Sequence, residues 1–393
     1  MKRAVIYFGF NNPKHYKRGV ENVVEVQASS LPDATKYYVF FDSEDSLFRW
    51  GSIVCIGVRR GATRFIRLNL LLWYLLRRLK DSAVILHSHN YLASLFLLRH
   101  TDLFSVHDGL WYQKRSVGSR IPWLFHFIEI RVYRRCKMLH CNSHFTLNNS
   151  LIGQVGRVAA VIPCSTPLEG LAEHGATHTW RFAPPTTTHV LSVRSIEPRA
   201  RIDLLLEMAE LAMAQNKAVH FTVAGKGPLL EIYRNEIRRR GLRNIELLGY
   251  VSDSDLARLY AGCDCVLMTC EHGEGFGLPL IEGYLFGKPV IASNRCAVPE
   301  IVISPEYLVE NDAAAVLNRL ISLRKCNTDP SEFVTYYNDR FSNRVIRGKF
   351  RQLYDLVVSD PSSTRSCNTP QALESVTSTA DSFRAAKCVA SQI

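Results

Sequence analysis

The chain alternates short apolar runs with stretches of helical periodicity, and after a proline- and threonine-rich interruption the alternation begins again. This order constrains the fold more than composition does, because repeated strand–helix–strand units call for a parallel sheet with helices on its faces. In the first series the strand-like runs fall at residues 3–8, 37–41, 53–56, 83–87, 103–107, 138–141 and 159–162, with helical patterns from about residue 20 and over 64–80. In the second, strands at 189–193, 219–224, 245–248, 265–268 and 289–292 alternate with helices at 202–216, 229–240 and 253–261. The pattern predicts two Rossmann-like, doubly wound α/β domains, one over 1–165 and one over 189–342. A linker at 166–188, carrying Pro167, Pro184 and Pro185, joins them. A helix at 343–358 is expected to cross back to the N-terminal domain, and residues 360–393, rich in Ser, Thr, Ala and Asn, are expected to be disordered. A length of 393 residues suits two cores and leaves the cleft between domains as the natural place for a ligand.

Several function classes drop out on composition. The longest apolar stretch, residues 70–76, is flanked by Arg67 and Arg77 and is much shorter than the roughly 20 residues that cross a bilayer. The opening MKRAVIYFGFNN reads as a first buried strand, since no small-residue cleavage site follows it, and the protein is expected to be cytoplasmic. Eleven cysteines without a CxxC pair predict reduced thiols and neither a disulfide framework nor a zinc site. The net charge of +12 is lopsided: residues 1–180 hold 23 Lys+Arg against 12 Asp+Glu, and no acidic residue occurs from 46 to 80. Phe65, Trp73, Trp123 and Phe127 thread these basic stretches, which suits peripheral contact with anionic lipid on the inner face of a membrane. A packed helix with a solvated basic face explains the same run. No nucleic-acid-binding pattern accompanies the charge, so nucleic acid is not an expected partner.

The sharpest segment is residues 271–300, EHGEGFGLPLIEGYLFGKPVIASNRCAVPE. Glu274 and Glu282 are separated by seven residues, with Gly275, Phe276, Gly277, Leu278 and Pro279 between them at a strand-to-helix junction. Glycines there let a ligand approach the backbone, and free N–H groups at a helix start favour an anion such as a phosphate. Glu282 is expected about two turns into the helix, aimed at the same site.

This segment, with its GKPVIAS run, closely resembles the retaining glycosyltransferases of family 4, whose C-terminal domain carries a Glu-x7-Glu motif. The likeness continues upstream through AGKGPLLEIYRNEIRRRGLRNIELLGYVSDSDLARLYAGCDCVLM. It implies a GT-B architecture, two Rossmann-like domains facing across a cleft, with the nucleotide sugar held by the C-terminal one. Gly225, Lys226, Gly227 and Pro228 match the family's GxGP turn, and Tyr250 and Val251 match the place where its backbone meets the nucleobase. VRSIEPRARIDLLLE is similar to the segment with an Arg and a Lys that grip the donor diphosphate. Arg194 matches the Arg, whereas Arg199 and Arg201 both remain candidates for the second cation.

The N-terminal half resembles the family more weakly. RGVE at 18–21 stands for the GG-x-E loop, with Arg18 in place of its first glycine and Gly19 still able to approach the diphosphate. His107 matches an imidazole that faces the donor sugar, and Ser143, Phe145 and Thr146 match part of a VSxFT segment. His87 and His89 form an H-x-H, but no carboxylate or cysteine completes a metal set and the family needs no metal, so no cofactor is expected.

The resemblance implies transfer of a sugar from a nucleotide diphosphate sugar to a glycan or lipid-linked saccharide, with retention at the anomeric carbon. Arg194 and Glu274, with His107, would be the catalytic groups, and Glu282 would hold the ribose hydroxyls. The competing expectation is a non-catalytic GT-B subunit that binds nucleotide sugar or glycan and supports a partner enzyme. Arg18 and the Cys164-Ser165-Thr166 turn speak for that reading.

Overall fold

The computed structural model describes residues 2–15, 19–173, 184, 186–323 and 329–359. Arg18 and the tail at 360–393 lie outside them, as does most of 174–185. The described residues fall into two compact units. One holds 2–114, 119–163 and 347–359, the other 115–118 and 164–346. The first boundary therefore lies at Pro163/Cys164, two residues before the expected one. The Asn343–Ser359 helix begins in the second unit and belongs to the first from Arg347 on.

The N-terminal unit is built on an eight-stranded sheet of β1 (Lys2–Phe8), β2 (Thr35–Asp42), β3 (Ser46–Trp50), β4 (Ile53–Arg59), β5 (Ser82–Ser88), β6 (Thr101–Val106), β7 (Cys136–Cys141) and β8 (Ala159–Val161). The order across it is β3-β4-β2-β1-β5-β6-β7-β8. All pairs are parallel except β3–β4, an antiparallel hairpin at the edge that the sequence pattern did not announce. Residues of β3 alternate between half-buried and exposed, so the strand lacks the continuous apolar run of the buried strands. Residues 4–8 of β1 are buried on both faces, as a central parallel strand requires. The Arg64–Arg78 helix turns Leu68, Leu72 and Leu75 onto the sheet, against Ile6, Phe8, Val39 and Leu86.

A polar spine crosses the same core. His140 Nε2 donates to the Ile162 carbonyl at 2.9 Å, so its Nδ1 accepts from Ser105 Oγ at 2.8 Å. Ser105 then accepts from His87 Nε2 at 2.8 Å, His87 Nδ1 accepts from the Tyr354 hydroxyl at 2.9 Å, and Tyr354 accepts from Tyr7 at 3.0 Å. Each hydroxyl and ring nitrogen between has its partner, and the chain ties the closing helix to the sheet. It works only with neutral imidazoles. Burial lowers His140 to about 4 and His107 to about 3, and pushes His87 and His89 well below their usual value.

The C-terminal unit carries a six-stranded sheet of β9 (Thr188–Val193), β10 (Val219–Ala224), β11 (Ile245–Gly249), β12 (Cys265–Met268), β13 (Val290–Ser293) and β14 (Leu308–Val309), ordered β11-β10-β9-β12-β13-β14 and parallel throughout. The order reverses direction at β9, and in such sheets ligands bind beyond the carboxyl ends of the strands beside that reversal. Residues 164 and 165, expected in the N-terminal domain, and 166–173, expected as the start of a linker, belong to this unit: Cys164, Ser165, Thr166 and Leu168 are buried and Glu169–Glu173 is helical. Among the described residues no helix is long and apolar enough to cross a membrane.

Because the depressed histidines are neutral in the fold but take up a proton when unfolded, stability is complete above about pH 6.5 and falls as pH drops toward 4. Each such imidazole costs about 1.4 kcal/mol per pH unit in that window. Urea titrations at pH 7 and pH 5 should show a marked loss, and a flat profile would contradict the neutral spine.

Candidate active site

The loops after β9, β10, β11 and β12 gather most of the C-terminal residues singled out by sequence. Arg194 directly follows β9 and is almost wholly buried. Its Nη1 donates to Glu274 Oε2 at 2.7 Å, with side-chain exposures of 7% and 15% for the pair. Arg194 Nε is buried and has no partner. One donor of this guanidinium is thus spent on Glu274 while another stands unused in a nearly dry setting, an arrangement that a further oxygen ligand would complete.

Two glycines make this position possible. A Cβ on Gly225, whose φ is +149°, would overlap the Arg194 carbonyl, and one on Gly227 would overlap the Ile196 carbonyl. The β10 turn therefore lies directly on the backbone that carries Arg194, held by Arg194 N–H to Ala224 O at 3.0 Å and Ile196 N–H to Lys226 O at 2.9 Å. The GKG turn serves first as a bed for the arginine. Lys226 reaches over the exposed Tyr250 ring, 4.8 Å from its centre, and Val251 follows at the end of β11.

The two candidate cations have different surroundings. Arg199, in the short turn Pro198–Ala200, sends Nη1 to the Gly273 carbonyl, one residue from Glu274, while its own carbonyl receives the Glu271 N–H at 2.9 Å. Arg201 has φ of +54° and precedes the Ile202–Ala214 helix, with Nε on Asp203 at 3.0 Å and Nη1 on Glu271 at 2.7 Å. Arg201 is thus tied to the start of the Glu274 loop through Glu271, and Arg199 in turn has Nε on Glu197 at 3.3 Å.

Glu282 is the fifth residue of the Leu278–Leu285 helix, in its second turn rather than two full turns in. Its carboxylate is buried and accepts from Thr166 Oγ1 at 2.9 Å and from the Tyr260 hydroxyl at 2.7 Å. Neither partner was legible in sequence, since they lie 116 and 22 residues away. Phe276 is buried and meets the edge of Phe341, so it anchors the loop, while Gly275 is buried and Gly277 and Leu278 open the helix. Cys296, at φ +55°, lies beside Cys270, and the hydrogen bond from that thiol, with the nearby backbone of Glu274 and Gly273, lowers it to about 7. Sequence spacing gave no sign of this pair.

In the N-terminal unit His107 follows β6, and its Nε2 meets His89 Nδ1 at 2.8 Å. Asn142 donates to the His107 carbonyl at 3.1 Å, and Ser143 caps the His144–Asn148 helix through the Thr146 N–H at 3.0 Å. Gly19 is the first residue of the Gly19–Ser29 helix and is exposed. His87 and His89 do not share a ligand site, because both ring nitrogens of His87 serve the spine. Among the described residues no group of three or more His, Cys, Asp or Glu is placed to hold a metal ion.

A GT-B fold is what these two units define. Sucrose-phosphate synthase from Thermosynechococcus elongatus superposes with a TM-score of 0.72 at 17% identity, over 91% of this chain and 99% of that one. WaaG, a glycosyltransferase involved in lipopolysaccharide biosynthesis, gives 0.63 at 14% identity over 91% and 100%. Residues 180–338 match the family described as glycosyl transferases group 1. Over 132 residues the chain is 32% identical to O-antigen chain mannosyltransferase B of Escherichia coli, which is 33% of this chain and 34% of that protein. Poly(ribitol-phosphate) alpha-N-acetylglucosaminyltransferase of Staphylococcus aureus is 33% identical over 118 residues, 29% of this chain and 23% of that protein. The chain thus spans about a third or less of the length of these curated relatives.

Replacing Gly225 by alanine should push the β10 turn off Arg194 at a cost on the order of 3 kcal/mol. The melting temperature should fall by several degrees. An unchanged melting curve would contradict this role of the turn.

Proposed function

We propose that this chain is a retaining glycosyltransferase of family 4 that moves a sugar from a nucleotide diphosphate sugar to a saccharide or lipid-linked saccharide, in cell-envelope polysaccharide or glycoconjugate synthesis on the cytoplasmic side. The observation that carries this reading is Arg194, buried against Glu274 with its Nε unpartnered. A buried guanidinium is costly unless its donors are used, and a diphosphate oxygen is the acceptor it fits best. The match of residues 180–338 and the transferases among the relatives support it, and those named for O-antigen chains support an envelope polysaccharide.

In this mechanism the acceptor hydroxyl attacks from the face that the diphosphate leaves, and a diphosphate oxygen takes its proton. The protein's task is electrostatic. Arg194, Arg199 and the helix start at Gly275–Gly277 stabilise charge on the leaving diphosphate; Glu274 holds sugar hydroxyls near the developing positive ring. Arg199 is preferred to Arg201 because its Nη1 already lies at Gly273 and it meets one carboxylate, Glu197, whereas Arg201 meets two, Asp203 and Glu271. Glu282, oriented by Thr166 and Tyr260, binds the ribose, Gly19 approaches the diphosphate, and Gly225–Gly227, Tyr250 and Val251 border the nucleotide. His107 is neutral throughout the working pH range and serves as a hydrogen-bond partner for the sugar. No metal takes part in the proposed step. The joined Arg194–Glu274 pair favours this reading over a non-catalytic subunit.

Glu274→Gln keeps an acceptor for Arg194 but removes the charge, and transfer should fall about 10³-fold while the nucleotide sugar still raises the melting temperature. Glu282→Gln should weaken nucleotide affinity by about tenfold, the worth of one charged hydrogen bond. Nucleoside diphosphate release with a saccharide acceptor panel measures the first, calorimetry the second. Equal rates for wild type and Glu274→Gln would refute the assignment.

A further inference from the structure

The Arg64–Arg78 helix carries two apolar stripes. Leu68, Leu72 and Leu75, with Leu79 just past its end, repeat at spacings of four, three and four and are buried on the sheet. Ile66, Leu70 and Trp73 repeat at four and three on another side, with Tyr74 beside them, and all are exposed. One stripe is enough to pack a helix onto a sheet; the other is left exposed among the described residues. Leu98, 85% exposed, extends it. Asn69, which neighbours Ile66 and Trp73 on the helix surface, donates to the Phe96 carbonyl at 3.0 Å and accepts the Leu98 N–H at 2.8 Å.

Cations rim this apolar face. The Arg77 guanidinium lies 4.0 Å from the centre of the Trp73 ring, and Arg78 Nη1 reaches the Tyr74 hydroxyl at 3.4 Å. Lys80, two residues past the helix, and Arg99, next to Leu98 in the chain, are exposed. None of these four makes an ion pair among the described residues. An aromatic pair with arginines on its rings, aliphatic side chains alongside and no carboxylate from 46 to 80 is complementary to a surface that is apolar within and anionic at its boundary.

We infer that the outer face of the Arg64–Arg78 helix, together with Leu98, docks this chain on an anionic lipid bilayer. Ile66, Leu70, Trp73 and Leu98 enter the acyl boundary, and Arg77, Arg78, Lys80 and Arg99 lie at the phosphates. The inference rests on the proposed function only in making a lipid-linked saccharide the acceptor that such docking would serve.

The test is co-sedimentation of the full chain with phosphatidylglycerol–phosphatidylcholine vesicles and with pure phosphatidylcholine, at low and high salt. Binding should require the anionic lipid and fade at high salt. Leu70→Ser with Trp73→Ser should weaken it by at least about tenfold without lowering the melting temperature, while Ile232→Ser, an exposed apolar site in the other unit, should leave it unchanged. The inference is overturned by no binding to anionic vesicles, by binding that ignores the double substitution, or by a concentration-dependent dimer that the substitution abolishes without any vesicle binding. Nucleotide-sugar thermal shifts on the same samples separate the two claims. A donor shift without vesicle binding sinks docking alone, and vesicle binding without a donor shift supports docking and counts against glycosyl transfer.

Discussion

The C-terminal unit is organised around one buried ion pair. Burying a guanidinium and a carboxylate costs several kcal/mol per ion before their attraction offsets it, and an apolar pair would stabilise a core at least as well. Arg194 and Glu274 are therefore poor candidates for a purely structural role. Their surroundings hold them in place. Gly225 and Gly227 let the neighbouring turn lie on the Arg194 backbone, Arg199 grips the Gly273 carbonyl, and the Ala297 N–H holds the Glu274 carbonyl at 3.2 Å. Strain is accepted for this too, since Arg201 and Cys296 both adopt positive φ.

In the N-terminal unit the Tyr7–Tyr354–His87–Ser105–His140 spine runs with its hydrogens in one direction and ends on a backbone carbonyl, so it joins the last described helix to the sheet without net charge. A network satisfied in this way gives rigidity. Arg194 in the C-terminal unit differs from the members of that spine in keeping a buried N–H without a partner.

Much of this was legible in sequence because it is local. Strand runs such as residues 3–8 and 219–224 announce themselves by continuous apolar character, and the glycines at 225, 227 and 277 mark turns whose geometry only they adopt. The edge strand β3 escaped because its residues are only alternately covered, and residues 166–173 read as the start of a linker because Pro167 and Gly170 hid two buried positions, Thr166 and Leu168. Partners far along the chain could not be read at all. Spacing placed Glu282 near the site but not against Tyr260 and Thr166, and it could not separate Arg199 from Arg201. In the structure both guanidinium groups are tied to carboxylates, Arg199 to Glu197 and Arg201 to Asp203 and Glu271.

The most direct test of the account is a melting-temperature panel of the full chain against UDP-, GDP- and ADP-sugars, each with and without chelator, repeated on Arg194→Lys. Ligand that binds the folded state must raise the transition. The account predicts a shift with one nucleotide class that chelator leaves unchanged and that Arg194→Lys largely removes, because lysine cannot present the guanidinium's planar fork to Glu274 and a diphosphate together. No shift with any donor, or one that survives in Arg194→Lys, would contradict it.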